Sequence, residues 1–210
     1  MRRALAALVL IAPSLAAAAP SLEAASAAAM TALETASAPR PSAAATALAR
    51  RPASATISGG ISGFPVDLTL DRRAWTITGG INGYPADVHI DQDAKKVTGG
   101  INGSPIELSF DWSPEKVTYT GHANLSTVEY TVDWQAGTVT GTANNAPVEL
   151  KFDLQAGTVN GAANHSAVEL SLDAASGKLT GGMNSAPVEL TIVNGDLSDF
   201  LQYLFVFLKR

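Results

Sequence analysis

The chain has 210 residues, 46% of them hydrophobic and 16% charged, with no cysteine and a formal charge of −5. Without cysteine there is no disulfide, no thiol chemistry and no Cys-ligated zinc, so packing and backbone pairing must hold the fold. Between Ile57 and Gly195, 15 Asp and Glu stand against 7 Lys and Arg, a net of −8 that repels phosphate backbones and anionic lipid surfaces and excludes nucleic acid as an expected partner.

In chain order, residues 1–19 have the succession of a secretory signal peptide. Arg2 and Arg3 form the charged start, Ala4 to Ala16 the apolar stretch, and Ala17 to Ala19 a small-residue cleavage site. Pro13 and the shortness of the apolar run argue against a membrane anchor. The expectation is export to the periplasm, the cell surface or the medium. Residues 20–55 are rich in Ala, Ser and Pro and read as a linker; Ser21 to Ser37 has the composition of a marginal helix that Pro39 and Pro41 would end.

Residues 56–195 are a seven-repeat β domain. Units begin at Ile57, Ile77, Val97, Tyr119, Val139, Val159 and Leu179, with five steps of 20 residues and one of 22. Counting each unit from zero, position 2 is Gly in all seven copies and position 10 is always acidic. Position 5 is Asn in six copies and Ser62 in the first. Two turn signals per unit predict a hairpin each. One is centred on position 5, as in Asn82-Gly83; the other is a longer loop with Gly at a left-handed position, as in Asp173 to Lys178.

The fold class expected is therefore all-β: an antiparallel meander of seven tandem hairpin repeats, about 14 short strands, curled or closed into a barrel. Positions 0, 9, 11 and 13 are apolar and positions 10, 12 and 14 polar, so one face is the core face. Position 8 is Pro in five copies, which favours a four-residue loop at position 5 that would keep proline out of the ladder. A parallel solenoid with one coil per unit would stack the seven acids at about 4.8 Å, whereas a meander separates them by about 9.5 Å, and like-charge repulsion favours the meander. The glycines at position 2 permit close approach or sharp curvature.

Residues 196–210 read as a short apolar helix, capped by Asp196 or Ser198, with Lys209 and Arg210 at its C-terminal end. It is expected to cover the apolar sheet face or to plug a barrel too wide for side chains alone to fill. Contact with a membrane interface is the competing reading of this helix.

No catalytic constellation, cofactor motif or metal site is legible. Acids nearly 10 Å apart cannot share a calcium ion. His89, His122 and His165 occupy unrelated repeat positions, and the Gly-Gly pairs are followed by neither helix nor Lys. Trp75, Trp112 and Trp134, in or beside the long loops, are the candidate ligand contacts. The functional expectation is a non-enzymatic, exported structural or binding module with an envelope or extracellular partner. The alternatives are an outer-membrane β-barrel and a carrier of an apolar ligand inside a barrel.

Overall fold

A computed structural model describes residues 51–208. The expected signal peptide, nearly all of the 20–55 stretch, and Lys209 and Arg210 lie outside the described residues. The strands are β1 (Ser54–Ile61), β2 (Phe64–Asp71), β3 (Thr76–Ile81), β4 (Tyr84–Asp91), β5 (Lys96–Ile101), β6 (Ser104–Trp112) and β7 (Lys116–Ala123). They continue with β8 (Ser126–Asp133), β9 (Thr138–Ala143), β10 (Ala146–Asp153), β11 (Thr158–Ala163), β12 (Ser166–Asp173), β13 (Lys178–Met183) and β14 (Ala186–Val193). Each pairs antiparallel with its chain neighbours, and β1 pairs β14, closing a 14-stranded barrel. The closing joint copies the internal ones: the Ser62 N–H donates to the Pro187 carbonyl at 2.9 Å, as Asn82 N–H does to Pro65 at 2.8 Å.

The period of two sorts the wall. Along β10, Ala146, Val148, Leu150 and Phe152 are buried while Pro147, Glu149, Lys151 and Asp153 are exposed. The same alternation recurs round the barrel, so the lumen is apolar and the outer wall polar.

The hairpin turn at position 5 differs from the expected four-residue loop. It has two residues, both at positive φ, as in Asn82 (56°) with Gly83 (78°) and Asn144 (54°) with Asn145 (59°). This is the twist-matched turn that Asn is suited to enter, and even Leu125 and His165 follow it at φ 63° and 60°. Position 8 proline consequently stands in the strand, opposite position 3, as in Gly80 against Pro85. It is tolerated because the ladder toward the next strand starts beyond it, at Asp87 against Gly100. The missing donor costs nothing there. The longer loops match expectation: Asp133, Asp153 and Asp173 each accept backbone N–H groups from their own loop, and Gly137, Gly157 and Gly177 take φ of 66–70°.

The C-terminal segment runs through the lumen. Helix α1 (Leu197–Gln202) opens with Asp196 as N-cap in a reciprocal capping box with Asp199. It is shorter than the helix expected over 196–210, giving way after Tyr203 to a single 3-10 turn, Leu204–Val206. The reason is competition from the wall. The Phe205 N–H donates to the Tyr130 hydroxyl at 3.1 Å, and the Leu208 carbonyl accepts from Asn144 Nδ2 at 2.8 Å, so side chains of the barrel replace helical bonds. Phe200, Leu201 and Phe205 are fully buried, with Phe205 against Tyr119 (5.3 Å between ring centres) and Phe200 stacked on Phe207 (4.7 Å). Fourteen strands enclose more volume than wall side chains can fill, and this tail fills it.

Burial pushes the Tyr130 phenol well above its ordinary range, so its hydroxyl stays protonated. Replacing Tyr130 with Phe strands the Phe205 N–H in the lumen and is expected to cost about 1–3 kcal/mol. Chemical denaturation of Tyr130→Phe checks this.

Candidate functional site

The barrel has two unlike rims. At one, the longer loops meet the start of α1. Asp199 is almost fully buried there and receives two guanidinium groups: Arg72 Nη2 at 2.8 Å from Oδ2, and Arg51 Nη1 at 3.3 Å from Oδ1. Arg51 also bonds Ser198 Oγ at 3.1 Å and pairs with Asp196, while Arg72 reaches the Pro52 and Asn194 carbonyls. The network ties the lead-in before β1 and the β2–β3 loop to the plug. Arg51 falls in the compositionally biased stretch and carries no periodic signal, so sequence alone did not mark it. Converting Asp199 to Asn removes the carboxylate that Arg72 pairs with and one of the two that Arg51 pairs with. The expected loss is about 2–3 kcal/mol, discounted because the arginines are part-exposed, and a lowered thermal midpoint measures it.

The three tryptophans all lie at this rim. Trp75 and Trp112 are exposed, whereas Trp134 is half-buried with its ring edge-on to Phe152 at 5.8 Å. The β4–β5 loop stands between Trp75 and Trp112. Trp75 takes φ 55° at the loop position where Gly137, Gly157 and Gly177 stand in later units.

The acids of position 10 lie on the outer wall, each between neutral or histidine neighbours. Asp87 faces Thr78 and Gly100, Glu129 faces Thr120 and Thr142, and Glu107 faces Thr98 and His122. Among the described residues no three His, Cys, Asp or Glu side chains are grouped to hold a metal ion. His89 pairs on the exposed wall with Asp87 at 3.3 Å; His122 is on β7, and His165 is in a tight turn.

The second rim carries the tight turns and an arc of asparagines, whose signal in the sequence is that of turn formers alone. Asn102 Nδ2 donates to Asn124 Oδ1 (3.3 Å), Asn144 Nδ2 to Asn164 Oδ1 (3.1 Å) and Asn164 Nδ2 to Asn184 Oδ1 (2.9 Å). Asn124 and Asn144 both donate to the Leu208 carbonyl, so the arc grips the end of the plug. At units one and two a cavity of about 360 Å³ opens beside this arc. Its lining is apolar (Ile61, Phe64, Val66, Ile81, Val206 and Phe207) with Ser62, Asn82, Asn102 and Asn184 among it, and no charged side chain. Phe64 is 53% exposed at its edge, and Tyr84 lies against Gly103 nearby.

The signal for this place was present in the repeat as exceptions to it. Ser62 replaces the asparagine of the other six units. Phe64 and Tyr84 occupy position 7, where later units carry Ser104, Ser126, Ala146, Ser166 and Ala186. No protein-family model, curated protein or solved structure matches this chain.

Proposed function

We propose that this chain is an exported, non-enzymatic binding module built as a self-filled barrel, acting in the cell envelope or in secretions. The observation that carries the reading is the division of the barrel into a largely polar outer wall and a lumen occupied by its own tail. Such a body presents rigid rims and a repeated outer surface, which suit binding. The charged, apolar and small-residue succession of residues 1–19 supports export.

The outer-membrane alternative needs an outward apolar band with aromatic girdles. The outward positions here include Asp67, Glu107, Glu149 and Lys151, all exposed, which is why we favour the polar-walled module. The carrier alternative is narrowed by the plug, whose large side chains are buried in the lumen.

Fractionation tests the proposal. The exported product should begin near Pro20 by intact mass and should remain in the aqueous fraction without detergent. A product that retains Met1, or one that requires detergent for extraction, would overturn it.

A further inference from the structure

We infer that the tight-turn rim is a surface for shallow docking on a lipid membrane, with Phe64, Tyr84 and Leu125 as its apolar anchors. The docking rests on the binding module proposed above and gives that module a lipid surface as its partner.

The two rims differ in charge. In all seven units positions 3 to 9, which form the tight-turn rim and the strand ends beside it, contain no Asp, Glu, Lys or Arg. Each longer loop at the opposite rim is entered through an Asp at position 14, from Asp71 to Asp173. Trp75, Trp112 and Leu154 are exposed at that opposite rim, but they are interleaved with Arg73, Lys95, Asp111 and Asp153, and ionised groups enter an apolar layer only at a large cost. The tight-turn rim meets no such cost. Its nearest acids, at position 10, stand about 10 Å along the strand from position 7, close to the screening length of about 8 Å at physiological salt. The net negative charge of the repeats therefore sits on the wall and the far rim, outside the contact.

The anchors are departures from the repeat. Leu125 is 80% exposed and takes φ 63° at the second position of its turn. The other six units carry Gly, Asn, His or Ser there. A large apolar side chain held in the left-handed region and in water at once is favoured neither by the turn nor by burial in the fold. Phe64 and Tyr84, 53% and 49% exposed, stand at position 7, where the five later units carry Ser or Ala. Apolar tips set apart on a rigid neutral rim suit a fluid surface, which closes round each of them. A protein partner would call for one contiguous patch. The Leu208 carbonyl is held at this rim by Asn124 and Asn144, and Lys209 and Arg210 follow it in sequence. Two cations within two residues of the rim complement anionic headgroups.

Flotation of the mature protein with vesicles tests the docking, using phosphatidylcholine with and without phosphatidylglycerol. The protein should float with the mixed vesicles, and less with phosphatidylcholine alone. A variant combining Phe64→Ser, Tyr84→Ser and Leu125→Asn takes at each site a residue that other units carry there, so the fold is kept, and its partition coefficient should fall at least about tenfold. Leu125→Asn by itself should lower partitioning while the thermal midpoint stays the same or rises. Acyl chains carrying bromine read the orientation: Phe64→Trp should add emission that they quench, while the native tryptophans, all at the far rim, should keep theirs. No flotation with mixed vesicles, flotation that the triple variant retains, or quenching of the native tryptophans overturns the docking. Self-association without lipid that the triple variant abolishes makes the tips an interface between copies and overturns it too. Binding by the purified protein does not depend on export, and an aqueous wash releases so shallow a contact, so the fractionation test of the module succeeds or fails separately.

Discussion

Truncation after Gly195 is expected to leave a chain that cannot keep its barrel. The eight residues Phe200, Leu201, Tyr203, Leu204, Phe205, Val206, Phe207 and Leu208 are all buried within the lumen. Each large apolar side chain withdrawn from water contributes about 1.5–3 kcal/mol gross. Losing eight rivals or exceeds the 5–15 kcal/mol that typically separates folded from unfolded states. The wall cannot collapse to compensate, because its circumference is fixed by closed hydrogen-bonded ladders. The lumen would be left as an apolar space lined by residues such as Tyr119, Val139, Val148 and Leu170. The truncated protein should aggregate or bind a hydrophobic dye, and its unfolding midpoint should fall steeply. A monomer of unchanged stability that loses only membrane association would instead establish the tail as an anchor.

The second large effect is expected at the glycines of position 2. Gly141 takes φ 144°, and its six equivalents take 130–149°. An L side chain avoids this region, which is almost exclusive to glycine. A Cβ built at Gly141 would also stand well inside contact distance of the Glu129 carbonyl oxygen and the Tyr130 backbone. The obstacle is thus the neighbouring strand's main chain, which cannot rotate away, rather than the plug. Gly141→Ala is expected to cost about 3 kcal/mol or more, with Gly141→Val worse. Equilibrium denaturation measures both. The penalty should be the same at Gly161 or Gly181, where the carbonyls of Glu149 and Glu169 are the obstacles. A neutral Gly141→Ala would mean that the bend in β9 is not imposed by the barrel. One such glycine in every second strand, all at one level of the wall, lets the sheet coil tightly enough to close.

Much of this architecture was readable one unit at a time. Local alternation in a stretch such as Val148-Glu-Leu-Lys-Phe152 specifies which face is buried, because strand side chains point alternately to opposite sides. Asn at position 5 and Asp at position 14 specify turns through their own φ preference and side-chain bonds. Repetition then specifies a meander, since each hairpin meets a copy of itself. The turn at position 5 is shorter than the proline three residues on implies, because that proline's missing donor faces away from any ladder bond. Where a proline N–H would point depends on the neighbouring strand's register, which no single unit contains.

The interactions internal to a repeat are therefore legible in the chain: strand, turn, apolar face and the polar spacing of the acids. Closure, the passage of the tail through the lumen, the break of α1 at Tyr203, the pairing of Arg51 and Arg72 on Asp199, and the cavity beside Asn102 were decided only in the tertiary structure. Each joins residues separated by tens to more than a hundred positions, as with Arg51 and Asp199. Such contacts depend on where β1 meets β14 and on which polar groups of the wall the tail encounters, and those are properties of the closed barrel rather than of any segment of the chain.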